Sequence, residues 1–154
     1  MLKVAAPDSS KFENNMPIKD GKDTEKDIMK KKVILVGETD FCAALSLRLA
    51  LQDDGYQYWA ASGVADARAL LIENDFDVAL VDVHLPDGNG LEVLRTLRIR
   101  QPDCVVIMLT GYASLETAIA ALRQGAYDYL IKPCDLEELR FILKTTEGLG
   151  IAVA

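Results

Sequence analysis

The run Asp77-Val78-Ala79-Leu80-Val81-Asp82 leads straight into Val83-His84-Leu85-Pro86-Asp87-Gly88-Asn89-Gly90. A short, almost unbroken apolar run suits a strand buried on both faces, and here a Pro/Gly-rich loop follows its terminal acid. Asp82 therefore stands at the C-terminal edge of a strand. In open α/β sheets that edge is where ligands bind. Two later runs repeat the arrangement. Val105-Val106-Ile107-Met108-Leu109 ends on Thr110, and Tyr129-Leu130-Ile131 ends on Lys132. Three successive strand ends thus present a carboxylate, a hydroxyl and an ammonium to one crevice.

Working outward, short apolar runs alternate with amphipathic stretches from Val33 onward, the pattern of βα units on a parallel sheet. Strands are expected at 33–37, 56–60, 78–82, 104–109 and 127–131, the second with an aromatic, half-exposed look. Helical spacing puts Phe41, Leu45 and Leu49 on one face of a helix over 40–53, which Gly55 ends. Ser62 can cap a helix running to about Asn74, with Val64, Ala67 and Leu71 inward. Leu91, Leu94 and Leu97 point inward from a helix over 90–100, and Leu115, Ile119 and Leu122 from one over 114–124. Asp135, with Glu138 three residues on, opens a last helix striped by Leu136, Leu139 and Leu143. Five strands and five helices in strict alternation give a doubly wound, flavodoxin-like α/β fold with right-handed crossovers and strand order 2-1-3-4-5.

A chain of 154 residues, half of them apolar, allows one domain with a real core. It is expected to divide into a polar, disordered leader (1–31), a folded body (32–147) and a short tail (148–154), with no room expected for an appended effector domain. No run approaches the ~20 apolar residues of a membrane span, and the start is too short and too soon interrupted for a signal peptide. A cytoplasmic protein is expected. Cys42, Cys104 and Cys134 are odd in number and far apart, which suits reduced structural thiols. Residues 1–32 carry a net charge of +2 and residues 33–154 a net charge of −9. An acidic body argues against direct nucleic-acid binding.

Four motifs now stand in order: an acidic turn after the first strand, Asp82 with its Leu-Pro-Asp-Gly loop, Thr110-Gly111, and Lys132-Pro133. Glu38, Asp82, Thr110 and Lys132 follow one another at intervals of 44, 28 and 22 residues. On these motifs the chain resembles a receiver domain of two-component response regulators, over roughly residues 32–145. The resemblance implies that Asp82 accepts a phosphoryl group from a sensor histidine kinase or phosphotransfer protein. It implies Mg²⁺ held by an acidic pair, by Asp82 and by the backbone carbonyl of His84. Here the pair reads Gly37-Glu38. Glu38 matches the second acid and Gly37 departs from the first, so weakened Mg²⁺ binding is expected. Lys132 would pair with phosphoryl oxygens, with a cis bond to Pro133, and Thr110 would offer its hydroxyl, with Gly111 keeping the crevice open. Tyr129 matches the family's aromatic switch. The surface that would respond is the fourth helix, fifth strand and fifth helix, carrying Arg123, Tyr127, Glu137 and Arg140, for a downstream protein or a phosphorylation-linked dimer.

Each residue also has a plainer reading. Asp82 suits a loop cap, Asp40 the cap of the next helix, and Lys132 alone a snorkelling surface lysine. His84 suits an exposed loop histidine, though beside a phosphoryl group it can influence the attacking water. Tyr129 suits a half-buried core tyrosine. Two whole-chain alternatives follow. One is a degenerate pseudo-receiver acting as a phosphorylation-independent interaction module, for which Gly37 is the motive. The other is an enzyme on the same architecture. A flavodoxin wants a hydroxyl-rich loop where Gly37-Glu38-Thr39-Asp40 is acidic, and an aspartyl phosphatase wants a second Asp where His84 stands. The chain is therefore expected to be a phosphoacceptor switch and no dedicated enzyme.

Overall fold

The computed structural model of the protein describes residues 30–112 and 114–149. The leader, but for Lys30 and Lys31, and residues 150–154 of the tail lie outside the described residues.

Five parallel strands form one sheet: β1 (Lys32–Val36), β2 (Gln57–Ala61), β3 (Val78–Asp82), β4 (Val105–Thr110) and β5 (Asp128–Ile131). Their order is β2-β1-β3-β4-β5, as the alternation of runs predicts. Helices α1 (Phe41–Asp53), α2 (Val64–Glu73), α3 (Gly90–Arg100) and α4 (Leu115–Arg123) make the crossovers, and α5 (Leu136–Leu149) follows the last strand. The last helix runs on into the segment read as a tail. Between β3 and α3, His84–Leu85 pairs antiparallel with Gly88–Asn89 in a small hairpin.

Side chains alternate across the sheet and build two cores. Ile34, Val36, Trp59, Val81, Val106 and Met108 meet α2, α3 and α4 on one face. Val33, Leu35, Leu80, Ile107, Leu109 and Leu130 meet α1 and α5 on the other. Because both faces are covered, the strands read as continuous apolar runs instead of alternating ones. The same covering corrects the reading of β2: Tyr58 and Trp59 are 8% and 4% exposed, buried although β2 is an edge strand.

Two helices turn a different face inward from the one their spacing suggests. In α1 the buried residues are Leu47 and Leu51, while Phe41, Leu45 and Leu49 are 79%, 41% and 57% exposed. This helix is apolar nearly all round, so periodicity alone cannot choose its inner row. In α4 Ala121 is buried, while Leu115, Ile119 and Leu122 face solvent. Small residues let α4 lie close to the sheet. The inward rows of α2 and α5 are as read, and α3 adds Val93 to Leu94 and Leu97 with Leu91 half-buried.

One cap is supplied from elsewhere in the chain. Ser62 does not cap α2, whose N-cap position is Gly63. Instead the Asp87 carboxylate, in the loop after β3, accepts hydrogen bonds from the N–H groups of Val64 (2.7 Å) and Ala65 (3.0 Å). Asn89 and Glu92 form a capping box on α3. Asp40 caps α1, and the N–H groups of Glu137 and Glu138 donate to Asp135 at the start of α5.

Candidate functional site

The parallel register fixes which strand ends meet. Asp82 lies level with Leu109 of β4, and Thr110 level with Ile131 of β5. Lys132 is one residue further on, and its N–H donates to the Thr110 carbonyl at 2.8 Å. Asp82, Thr110 and Lys132 thus share one edge. Glu38 joins them from the turn after β1, beside β3 in the sheet.

Lys132 organises the centre. Its Nζ lies 2.7 Å from Asp82 Oδ2 and 3.1 Å from Glu38 Oε1. One ammonium therefore bridges two carboxylates from different strand ends. Burial pulls the Lys132 pKa down, but hydrogen bonds and the charges of Asp82 and Glu38 more than reverse this, and the net direction is upward. The other Asp82 oxygen, Oδ1, accepts from the His84 N–H at 3.1 Å. Asp82 itself is buried, with only 12% of its side chain exposed.

Thr110 is fully buried, and its Oγ1 accepts from the Tyr112 N–H at 3.0 Å. The His84 ring is exposed and meets Tyr112 edge to face, with centroids 5.8 Å apart. Tyr129 is half-buried, and its hydroxyl lies 2.7 Å from Thr117 Oγ1. The Lys132–Pro133 peptide bond is cis. A Cβ on Gly111 would meet nothing within 4 Å, so the crevice does not need a glycine there. Of the residues expected on the responsive surface, Arg140 reaches to the end of α1, where its Nε donates to Asp54 at 2.9 Å. That surface also carries Leu115, Ile119 and Leu122 on α4 and exposed Ile131 on the edge strand β5.

Two glycines shape the pocket. Gly37 has φ +91°, a left-handed conformation that favours glycine, and a Cβ there would run into the Leu85 side chain. A Cβ on Gly90 would collide with the Asp82 carbonyl, so glycine lets α3 start against the end of β3. Leu85 and Asp87 escaped the sequence reading because the contacts they make join loops distant in sequence. The nearest signal was the Leu-Pro-Asp-Gly run itself. A groove between α2 and α3, lined by Arg68, Glu92, Arg95, Thr96 and Ile99, contains none of the site residues.

The donor set suits a hard cation. Glu38 and Asp82 offer carboxylate oxygens and His84 a backbone carbonyl, and Mg²⁺ binds through one or two carboxylates while keeping several waters. These groups fit a site with one carboxylate fewer than the family's acidic pair plus acceptor. Among the described residues no cluster of three or more His, Cys, Asp or Glu side chains could hold a metal.

A doubly wound sheet in the order β2-β1-β3-β4-β5, with an acid, a hydroxyl and a lysine at adjoining strand ends, is the arrangement of a receiver domain. The response regulator receiver domain model matches residues 33–144, and the chain belongs to that family. It is 46% identical over 86 residues to the response regulator protein PilR of Pseudomonas aeruginosa, covering 56% of this chain and 19% of PilR. The chain thus spans about a fifth of that relative's length. Among solved structures it resembles a Burkholderia pseudomallei response regulator with a phosphorylated aspartic acid, calcium ion and citrate. The TM-score is 0.69 at 32% identity, over 79% of this chain and 71% of that one. The beryllofluoride-activated NtrC4 receiver domain dimer gives a TM-score of 0.69 at 33% identity, over 76% and 97%. Among the described residues no helix is long and apolar enough to cross a membrane.

Proposed function

We propose that this receiver is a phosphorylation-dependent binding switch, with Asp82 as phosphoacceptor. The observation that carries the reading is the Lys132 ammonium, set between Asp82 and Glu38 at the strand ends. An Asp82 carboxylate oxygen attacks phosphorus of a phosphohistidine on a sensor kinase or phosphotransfer protein. The P–N bond breaks, the donor imidazole leaves, and an aspartyl phosphate remains. Such a transfer needs positioning and charge neutralisation more than covalent help. Lys132 neutralises phosphoryl oxygens, and the Thr110 hydroxyl turns from Tyr112 to the new phosphate. Mg²⁺, held by Glu38, Asp82 and the His84 carbonyl, supplies further positive charge when bound.

The exposed row Phe41, Leu45, Leu49 begins three residues past Glu38 and offers the phosphodonor protein an apolar seat beside the acceptor. Phosphate adds ~1.5–2 negative charges, which bias the α4–β5–α5 surface towards a partner or a second copy. The chain acts as a switch in the cytoplasm, with slow loss of its own phosphate and no dedicated enzymatic role. Its acidic body favours protein partners over nucleic acid.

Incubation with a small phosphodonor and Mg²⁺ should add one phosphate by intact mass, and Asp82→Asn should abolish it. Phosphate retained on that variant would refute the assignment. A second reading, the phosphorylation-independent interaction module, is favoured by Gly37 and the Leu85 side chain packed against it. Specific Mg²⁺-dependent NMR shifts at Glu38 and Asp82 count against that module, and silence there supports it.

A further inference from the structure

Thr117 lies in the first turn of α4, outside every motif discussed above. Its hydroxyl stands in a closed set of contacts. Thr117 Oγ1 donates to the Ser114 carbonyl (3.2 Å) and lies 2.8 Å from Ser114 Oγ and 2.7 Å from the Tyr129 hydroxyl. A hydroxyl has one proton and two acceptor lone pairs. With the Thr117 proton on the Ser114 carbonyl, its oxygen receives the Tyr129 O–H and the Ser114 O–H. Ser114 is also the N-cap of α4, accepting from the Thr117 N–H at 3.1 Å. Tyr129 is therefore tied to the start of α4 through one threonine.

The state in which this tie exists is marked by Thr110, whose Oγ1 is occupied by the Tyr112 N–H. We propose that Thr117 is a positioning residue for the switch: its hydroxyl latches Tyr129 in the resting orientation, and the latch must break before the ring turns inward. The inference rests on the reading of Tyr129 as the moving aromatic. It adds the group that opposes the motion, and it couples ring rotation to the α4 N-terminus. A hydrogen bond present in one of two states and absent from the other biases their ratio by roughly two- to tenfold. That factor is what the latch contributes to holding the unphosphorylated protein off.

Thr117→Val removes the hydroxyl, keeps the β-branched shape and leaves the position-117 N–H on Ser114. Thr117→Ser keeps the hydroxyl. The Tyr129 side-chain rotamer population is read by NMR in the free protein. Thr117→Val should raise the inward population roughly two- to tenfold, with Thr117→Ser near wild type. Beryllofluoride with Mg²⁺, as a phosphoryl mimic, should bind Thr117→Val more tightly by a similar factor, and adding Tyr129→Phe should give no further gain. A merely structural role for Thr117 would alter the melting temperature but neither ratio. Rotamer populations equal in Thr117→Val and wild type overturn the proposal. If Thr117→Val does not fold, Tyr129→Phe breaks the same bond from the other side, and an unchanged ring population there overturns it equally. If the wild type takes no beryllofluoride, the phosphoacceptor reading fails, while the rotamer measurement still decides the latch.

Discussion

Lys132 neutralises Glu38 and Asp82 together, the two carboxylates proposed to hold Mg²⁺. On that proposal the ammonium and Mg²⁺ would compete for the same oxygens. Replacing Lys132 with Met leaves two carboxylates facing each other, and millimolar Mg²⁺ should then raise the melting temperature of that variant several degrees more than that of the wild type. Thermal melts with and without Mg²⁺ check this, and equal shifts would refute it. The pH dependence has a definite sign. The folded-state pKa of Lys132 is raised, so its contribution is fully present below the ordinary lysine value of ~10.4 and fades only as pH rises through the folded value. Neutral and mildly acidic titrations leave the lysine charged. Cysteine chemistry is confined by the same burial logic. Burial first, then neighbouring negative charge, pushes the Cys134 thiol up to about 11, and burial carries Cys104 to about 12. Exposed Cys42 should be the first residue alkylated at neutral pH, as peptide mass mapping would show.

At the scale of elements, the loop after β3 also fastens a helix. Asp87 caps α2 from that loop, tying the helix on one side of Asp82 to the loop on the other. Removing an N-cap side chain costs about 1 kcal/mol, so Asp87→Ala should lower the melting temperature by roughly 4 °C. Hydrogen bonds from the Ala65 and Val64 N–H groups hold the Asp87 carboxyl below its usual range. Its contribution is therefore present above the ordinary carboxylate value of ~3.9 and is lost as pH falls through the folded value. The gap between wild type and Asp87→Ala should close in strong acid. A gap that persists there would point to packing in place of the cap. The loop between α2 and β3 has its own fastener: buried Gln101 accepts from the Phe76 N–H and donates to the Leu71 and Asn74 carbonyls.

For the molecule as a whole, the informative surfaces are the ones left apolar. A helix that turns alanine to the sheet and Leu115, Ile119 and Leu122 to solvent has large side chains to spare for another protein. Ile119→Asp, at a position 39% exposed, should change stability by less than about 0.5 kcal/mol while weakening beryllofluoride-linked self-association or partner binding. Sedimentation velocity with and without beryllofluoride reads this directly. A variant that assembles as the wild type does would remove the α4–β5–α5 surface from the account. The Phe41 row on α1 is a second such surface, on the opposite layer.

The fold was legible in the sequence because strand runs, turn residues and interval spacing are local properties of the chain. The places of Glu38, Asp82, Thr110 and Lys132 followed from it, since in a parallel sheet every strand's C-terminal end reaches the same edge. Which way α1 and α4 face was not legible. Both helices carry apolar residues on more than one row, and only contact with the sheet selects the row that fits. The partners of Asp87, Leu85, Thr117 and Arg140 were hidden for a related reason. Each meets a residue far along the chain or across a loop, and contacts of that kind exist only once the layers have packed.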